Sequence, residues 1–562
     1  MKRLLAAMAV LLCLCLLAGC ANKLKSSEKY HEGMPDVDFA DEAEVLNGVN
    51  IPEFKASDMD ESVPENAMRV DLASADKEYR ITSGGTYVLS GALNDGRVIV
   101  DSMDAVHIVL NGAAIACKGG PALYCKNADR LIITLAEGTE NFISDSEEYF
   151  LDSGDENEPN AAIFSQSDLT INGKGRLTVT AKHNNGINSR DKLKLYSGDI
   201  EVISSDDGIV GKDCLLIGGG NISVTSGDDA LRSTNSKDEE RGSIVIRGGS
   251  IGIDANGDAL NAKNCIVIDG GVINAKCGGG ANEVEFILQN DGKLTNEQAQ
   301  QNSDSCKGLS AKRGIVIRGG VLELDTFDDS IHSNGSTVIS GGEFNIKSGD
   351  EGIHSDAFTV INGGVFRIER CFEGIQGANV RISGGVLDIA SADDGINSTG
   401  STEEPADAEN KDGLVKIEGG VISVCANGDG VDSNNAIWIV GGVLSITNAN
   451  SSTDTPFDCE GVFAIDGGSV FGCGGSERLV TASGDSGQYS AFVVIDGKAG
   501  DEITVKNASG VVLFEQTAGF DFSCVAFSSA DMKQGASYTV FINGAESVTF
   551  ELTSVCTVKG EF

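Results

Sequence analysis

The sequence predicts an all-β protein, a right-handed parallel β-helix of about 22 residues per coil closed by a small β-rich C-terminal cap. Three observations predict it. A short phrase recurs: two acidic or polar residues, a small residue, an aliphatic one, a polar one and often Ser. Its small residue falls at Gly186, Gly208, Ala230, Ala259, Gly308, Ser330, Gly352, Gly374, Gly395 and Gly430, mostly 22 residues apart. Some eleven residues after a phrase comes a Gly-Gly pair, as at Gly319-Gly320, Gly341-Gly342 and Gly363-Gly364. Between these marks apolar residues alternate with polar ones, as at Ile331, Ile339, Phe344 and Ile346, which is the period of strands.

A unit of this length with two or three short strands cannot bury its own apolar face, so units must stack, each rising by about 4.8 Å. A β-propeller needs blades of about twice this period. Composition agrees, with 72 Gly against 7 Pro, a balance that suits tight turns rather than helical bundles or collagen.

Taken in order, residues 1–20 read as a secretory signal: Lys2 and Arg3, an apolar run from Leu4 to Leu17, then Leu17-Ala18-Gly19-Cys20. That ending resembles the bacterial lipoprotein box, which makes Cys20 the lipidated N-terminus and places the protein at the cell surface, anchored in the membrane through this lipid alone. Residues 21–66 are acidic and weakly periodic, and are expected to form a tether. The stack is expected over 67–487, with less regular early coils at 81–91 and 106–115 and insertions at 235–241, between Cys277 and Cys306, and at 399–412. Over 488–562 the repeat gives way to hairpin-like strands, expected to cover an open strand edge.

The charge balance, 42 basic against 84 acidic residues for a net −42, excludes a nucleic-acid-binding surface. A monomer is expected. Without Cys13, Cys15 and Cys20 twelve cysteines remain. Cys214 and Cys265 share one repeat position among apolar neighbours and read as buried packing thiols, whereas Cys277 and Cys306 bracket an insertion and are expected to bridge. There is no C-x-x-C pair.

Stacking turns a repeat position into a line of side chains. With the small residue as zero, position −1 reads Asn185, Asp207, Asp229, Asp258, Lys307, Asp329, Glu351, Glu373, Asp394 and Asp429, and −2 adds Asp206, Asp228, Asp328, Asp350 and Asp393. Two unit charges about 4.8 Å apart repel by about 0.9 kcal/mol in bulk water and several-fold more at a protein surface. A repeated penalty of this kind calls for a counter-ion, and carboxylates with turn carbonyls are the ligand set Ca²⁺ prefers. The expected sites are Asp393, Asp394 and Asn397 with Asp429 and Asp432, and Asp206 and Asp207 with Asp228, Asp229 and Asp213. The alternative is that Asp and Asn only make turn hydrogen bonds.

Position +2 is expected to point outward: Asn188, Val210, Arg232, Asn261, Ser310, His332, His354, Gln376, Asn397 and Asp432. Such a strip suits a polyhydroxylated chain, or is a solvated face. His332 and His354, one coil apart, lack a third metal ligand in the sequence and read as exposed polar residues. Position +4 holds Arg190, Lys212, Lys263 and Lys312. A lysine among cations could abstract the proton α to a uronate carboxylate, the step of a β-elimination lyase; otherwise these lysines neutralise the ladder. Trp438, the one tryptophan, alternates with Ile437 and Ile439 and is expected outside, stacked on a pyranose ring or capping an apolar surface. No serine-hydrolase elbow, P-loop or dinucleotide fingerprint stands in context, and repetition of the acidic pair argues against a glycosidase couple.

Several phrases resemble the bacterial cell-surface carbohydrate-binding, polysaccharide-lyase-like β-helix proteins: 131–141 (LIITLAEGTEN), 169–178 (LTINGKGRLT), 184–191 (NNGINSRD), 205–213 (SDDGIVGKD) and 526–538 (AFSSADMKQGASY). The resemblance runs from about residue 70 to the C-terminus and implies binding of cellulose-like and acidic sugar polymers with calcium at the acidic corner. Asp206-Asp207-Gly208-Ile209 and Asp393-Asp394-Gly395-Ile396 are similar to the calcium corner of one pectate-lyase family, while Lys307 and Gly257 depart from it. Three functions follow in order: a calcium-assisted polysaccharide-binding protein, a calcium-dependent polysaccharide lyase, and a surface spacer or adhesin.

Overall fold

The computed structural model describes residues 31–150, 159–288, 294–295, 305–400, 412–449 and 453–560. Among them the regular structure is nearly all strand. The α-helices are the single turns Glu42–Val45 and Ala56–Met59.

Strands follow one another in threes, and each pairs in parallel with its counterpart one rung later. The register carries the repeat: Ile331 pairs with Ile353 and Ile209 with Leu231, each 22 residues on. Where the chain is interrupted the register holds and the extra residues leave the stack, since Leu231 pairs with Leu260 and Leu260 with Leu309.

Three sheets result. The first holds the repeated phrase, as in Ile209–Gly211 and Ile331–Ser333. The second holds strands such as Cys214–Ile217, Ser243–Ile246 and Ser336–Ile339. The third holds Asn221–Ser226, Glu343–Ser348 and Val421–Ala426, whose residues alternate between exposed or half-buried and buried. Inward side chains form continuous apolar lines, such as Leu195, Ile217, Ile246 and Ile268 in the second sheet, and Phe344 stacks on Phe366 with ring centres 4.4 Å apart.

Two glycine positions are conformational requirements. The second residue of the Gly-Gly pair takes φ of +101° at Gly271, +107° at Gly320 and +116° at Gly342, a region that excludes most side chains. At position zero a Cβ on Gly208 would lie 2.3 Å from Val224 of the third sheet, so this rung requires glycine.

Residues 31–66 correct an expectation. They are not a free tether but a strap laid along the outer face of the second sheet. Phe39, Ala40 and Val45 pack on Cys265, Val316, Val338, Val360, Leu414 and Ala436, while Leu46, Ile51 and Phe54 cover Cys214, Leu216, Val245 and Val267. The reason is local: strands such as Cys214–Ile217 and Ser243–Ile246 are apolar on both faces, and the outer face must be covered. Ion pairs pin the strap, Lys194 Nζ to Asp58 Oδ2 at 2.7 Å with both side chains buried, Arg247 to Glu53 at 2.6 Å, and Arg318 to Glu42 at 2.8 Å.

At the far end the last strand of the third sheet, Ser469–Gly474, pairs antiparallel with Phe522–Ser528, which in turn pairs with Ser490–Gly497. A four-stranded antiparallel sheet, Glu502–Asn507, Val512–Thr517, Ser537–Ile542 and Ala545–Glu551, closes over a separate core that includes Phe514, Phe522, Phe527 and Tyr538. Cys277 and Cys306, expected to bridge, are both buried and form no disulfide, and Cys306 Sγ lies 3.1 Å from the Asn256 carbonyl. Cys20 lies outside the described residues.

Candidate functional site

The +2 column exists as a line of paired residues. Register runs Asn188, Val210, Arg232, Asn261, Ser310, His332, His354, Gln376, Asn397 and Asp432 without a break. It continues to Asp458, which sequence reasoning missed. The missed signal is Thr455-Pro456-Phe457-Asp458, where Pro stands for the small residue and Phe for the aliphatic one, 26 residues after Gly430.

These side chains do not all face solvent, as had been expected. Along much of the line the +2 residue turns back onto the −1 carboxylate of its own rung, because three residues of extended chain around the corner bring the two together. Asn261 Nδ2 donates to Asp258 at 2.9 Å and Gln376 Nε2 to Glu373 at 2.6 Å, and His332 Nδ1 lies 2.7 Å from Asp329 Oδ2. Asn188 is 5% exposed and donates to Asn160 at 2.8 Å.

Two rungs carry a built-in cation. The Arg232 guanidinium, expected to bind glycan, sits among Asp207 at 2.8 Å, Asp229 at 3.2 Å and Asp228 at 3.5 Å. One of the two expected calcium positions therefore already holds a positive group. Burial, opposed by Arg232 and reinforced by Asp206 and Asp228, pushes Asp207 up to about 6; burial and then Asp258 push Asp229 up to about 8. Lys307, at an interruption of the ladder, plays the same part, with Nζ 2.7 Å from Asp328 and 3.0 Å from Asp329. Burial would raise the Asp329 carboxyl, but Lys307 and the two histidines overcome it and hold it well below the usual carboxylate range. Asp213, assigned to the site of Asp206 and Asp207, is not in it: the intervening strand carries it to the next corner, where it accepts from Asn235 at 2.6 Å and pairs with Arg241 at 2.5 Å.

At the last rungs the donors give out. Asn397 Nδ2 donates at 3.1 Å to Glu373 of the preceding rung, and its Oδ1 is buried without a partner. The next two +2 residues are acids, Asp432 and Asp458, which with Asp429 bring carboxylate oxygens within 4.8 Å of one another. Asp394 Oδ1 accepts from the Asp429 N–H at 2.7 Å, and Asp429 Oδ1 from the Thr455 N–H at 2.5 Å. Burial, with the mutual field of Asp432, Asp458 and Asp454, pushes Asp429 up to about 8. Burial and then Asp458 push Asp432 up to about 7, and burial raises Glu373 to about 7 despite its amide donors. Asp394 is raised well above the usual range by burial and by Glu373, Asp393, Asp429 and Asp432. These acidic groups could hold a metal ion: they offer hard oxygens and an amide oxygen with nothing to accept from, and among the described residues no Lys or Arg forms an ion pair with Asp394, Asp429 or Asp432, while Arg478 acts on Asp458.

Of the expected lysines, Lys263 and Lys312 line an open groove of about 700 Å³ with Asn261, Ser310, His332 and Lys307, whereas Lys212 lies outside its lining. Trp438 is not free to stack on a sugar. Its Nε1 donates to Asp466 at 3.0 Å, Lys416 lies 4.4 Å from its ring centre, and His31 of the strap meets it edge-on.

A stack of parallel strands with an acidic line and a polar groove defines a repetitive all-β protein. The model of the carbohydrate-binding domain-containing protein family matches residues 75–352 and 350–509, and the chain belongs to this family. A carbohydrate-binding domain-containing protein of Acetivibrio thermocellus is 34% identical over 160 residues, 28% of this chain, and the chain spans 56% of the length of that relative. The polysaccharide lyase-like protein from C. thermocellum, solved as a gadolinium derivative, is 33% identical over 38% of this chain and 91% of its own, with a TM-score of 0.37.

Proposed function

We propose that the chain is a polysaccharide-binding protein assisted by Ca²⁺, held at the cell surface through Cys20, and that its rungs wind as a right-handed parallel β-helix of about 22 residues per coil. Family membership supports the ligand class. The observation that carries the cation is the change along the +2 column from donors to acids at Asn397, Asp432 and Asp458, where Asn397 Oδ1 has no partner. Calcium there would neutralise the line and could bridge to the carboxylates of an acidic glycan, which a chain of charge −42 otherwise repels. Neutral, cellulose-like glucans need no such bridge.

The groove lined by Lys263 and Lys312 favours a second reading, a calcium-dependent lyase of the pectate type, in which one lysine takes the proton α to a uronate carboxylate. One experiment separates the readings: retention on insoluble glycans with calcium and with excess chelator, while the absorbance of unsaturated uronate products is followed. Calcium-dependent retention on polyuronate without absorbance growth is the expected result. Growth abolished by Lys263→Ala or Lys312→Ala would establish the lyase. Retention on no polymer would leave a structural spacer.

A further inference from the structure

The +2 column holds two histidines on neighbouring rungs, and the structure supplies the third donor that the sequence left out. His332 and His354 are register partners on adjacent parallel strands, with ring centres 5.0 Å apart. Asp329, three residues before His332, reaches both: its Oδ2 lies 2.7 Å from His332 Nδ1 and 3.7 Å from His354 Nδ1. One ligand atom from each of the three residues falls within 4.8 Å of the others.

We propose that Asp329, His332 and His354 form a binding site for a divalent first-row transition-metal ion of the zinc class, separate from the carboxylate end of the ladder. The donor chemistry sets the class. Two imidazole nitrogens with one carboxylate oxygen are a poor set for Ca²⁺, which takes oxygen ligands, and a good one for zinc-type ions. The Asp329 side chain is 3% exposed and its Oδ1 is fixed by the Glu351 N–H at 3.1 Å, so the carboxylate cannot swing away from the histidines. Outer oxygens are also in place: Glu351 Oε2 lies 3.8 Å from His354 Nδ1 and Asp356 Oδ1 lies 3.7 Å from His354 Nε2, the position of a carboxylate that orients a metal-bound imidazole. His332 lines the groove that holds Lys263 and Lys312, which leaves an approach from solvent for the ion and for a further ligand.

Lys307 is the competitor. Its ammonium lies 3.0 Å from the Asp329 oxygen that the ion would take. It also holds Asp328 at 2.7 Å, a contact it can keep when Asp329 Oδ2 turns to the metal. Asp328 and Asp329 both lie against that one ammonium, and carboxylate oxygens of Asp328, Asp329 and Asp350 fall within 4.8 Å of one another.

The test is equilibrium dialysis of the intact, chelator-stripped chain against Zn²⁺ with calcium in excess, with Co²⁺ as a spectroscopic substitute. The wild-type chain is expected to bind zinc, and Co²⁺ to show visible bands without the intense near-ultraviolet absorption of thiolate ligation by its cysteines. His332→Gln and His354→Gln are expected each to weaken zinc by at least about tenfold. Both variants should fold, because Gln376 already occupies the same line one rung on. Asp432→Asn, in the carboxylate end, is expected to leave zinc affinity unchanged, so failure of the calcium reading and failure of this one are distinguishable. Zinc affinity unchanged in both histidine variants, or no zinc retained by the wild-type chain, overturns the proposal.

Discussion

Arg232 shows how one residue decides what a rung can do. Its guanidinium serves three carboxylates on neighbouring rungs, Asp207, Asp228 and Asp229, so this corner already contains one internal counter-charge. Removing one partner of such an enclosed group leaves the others uncompensated, at a cost of about 3 kcal/mol. Arg232→Gln is therefore expected to lower the thermal midpoint in the presence of chelator, and calcium is expected to restore much of the loss by standing where the guanidinium stood. A variant as stable as wild type in chelator would show that the charges were never a burden. In the sequence Arg232 reads as one more polar +2 residue. Only the distances show that it faces inward, because the residue type is the same for a glycan contact and for an internal counter-ion.

At the scale of the element, the strap is the part that the sequence hid. Its own residues, acidic and weakly periodic, read as a linker. The readable clue lay elsewhere, in strands such as Leu215-Leu216-Ile217 and Ile244-Val245-Ile246, which are apolar without alternation and so demand cover on both faces. Asp58 ties the strap down. Burial raises its carboxyl, but donors including Lys194 outweigh burial and lower it below its ordinary 3.8. A carboxyl lowered in the folded state contributes stability that is complete above its unfolded value and is lost as the pH falls below it. Hydrogen exchange over residues 31–66 is therefore expected to accelerate as the pH drops below about 3.8, after correction for the intrinsic rate. Lys194→Met is expected to expose the strap at neutral pH. Protection that does not depend on either change would mean that apolar packing alone holds it.

The strand columns themselves were legible. Position-by-position repeats at Gly186 to Gly430 become register pairs, because residue spacing and strand pairing are the same periodicity seen along the chain and across it. The direction of a side chain around the corner was not legible, since an Asn or Gln can satisfy a neighbour's carboxylate or a ligand with the same atoms. Asp458 escaped because Pro456 and Phe457 broke the phrase that marks the rungs from Gly186 to Gly430.

For the whole molecule, the acidic line couples charge to stability. Glu373 and Asp432, pushed up to about 7, and Asp429, pushed up to about 8, hold their protons more tightly folded than unfolded. Their contribution is complete below the ordinary carboxylate value near 4 and is lost as the pH climbs through about 8. In chelator the thermal midpoint is thus expected to fall as the pH rises from about 4 to about 8, with calcium reversing the fall at the upper end and doing little at the lower. A flat profile in chelator would contradict the burial of these acids.

Titration calorimetry of Ca²⁺ into the chelator-stripped chain at neutral pH, beside Asp432→Asn and Asp228→Asn, tests the placement of the cation most directly. The account predicts that calcium binds with release of protons, that Asp432→Asn loses this binding, and that Asp228→Asn, at the corner already held by Arg232, keeps it. Calcium binding that survives Asp432→Asn and disappears in Asp228→Asn would contradict it.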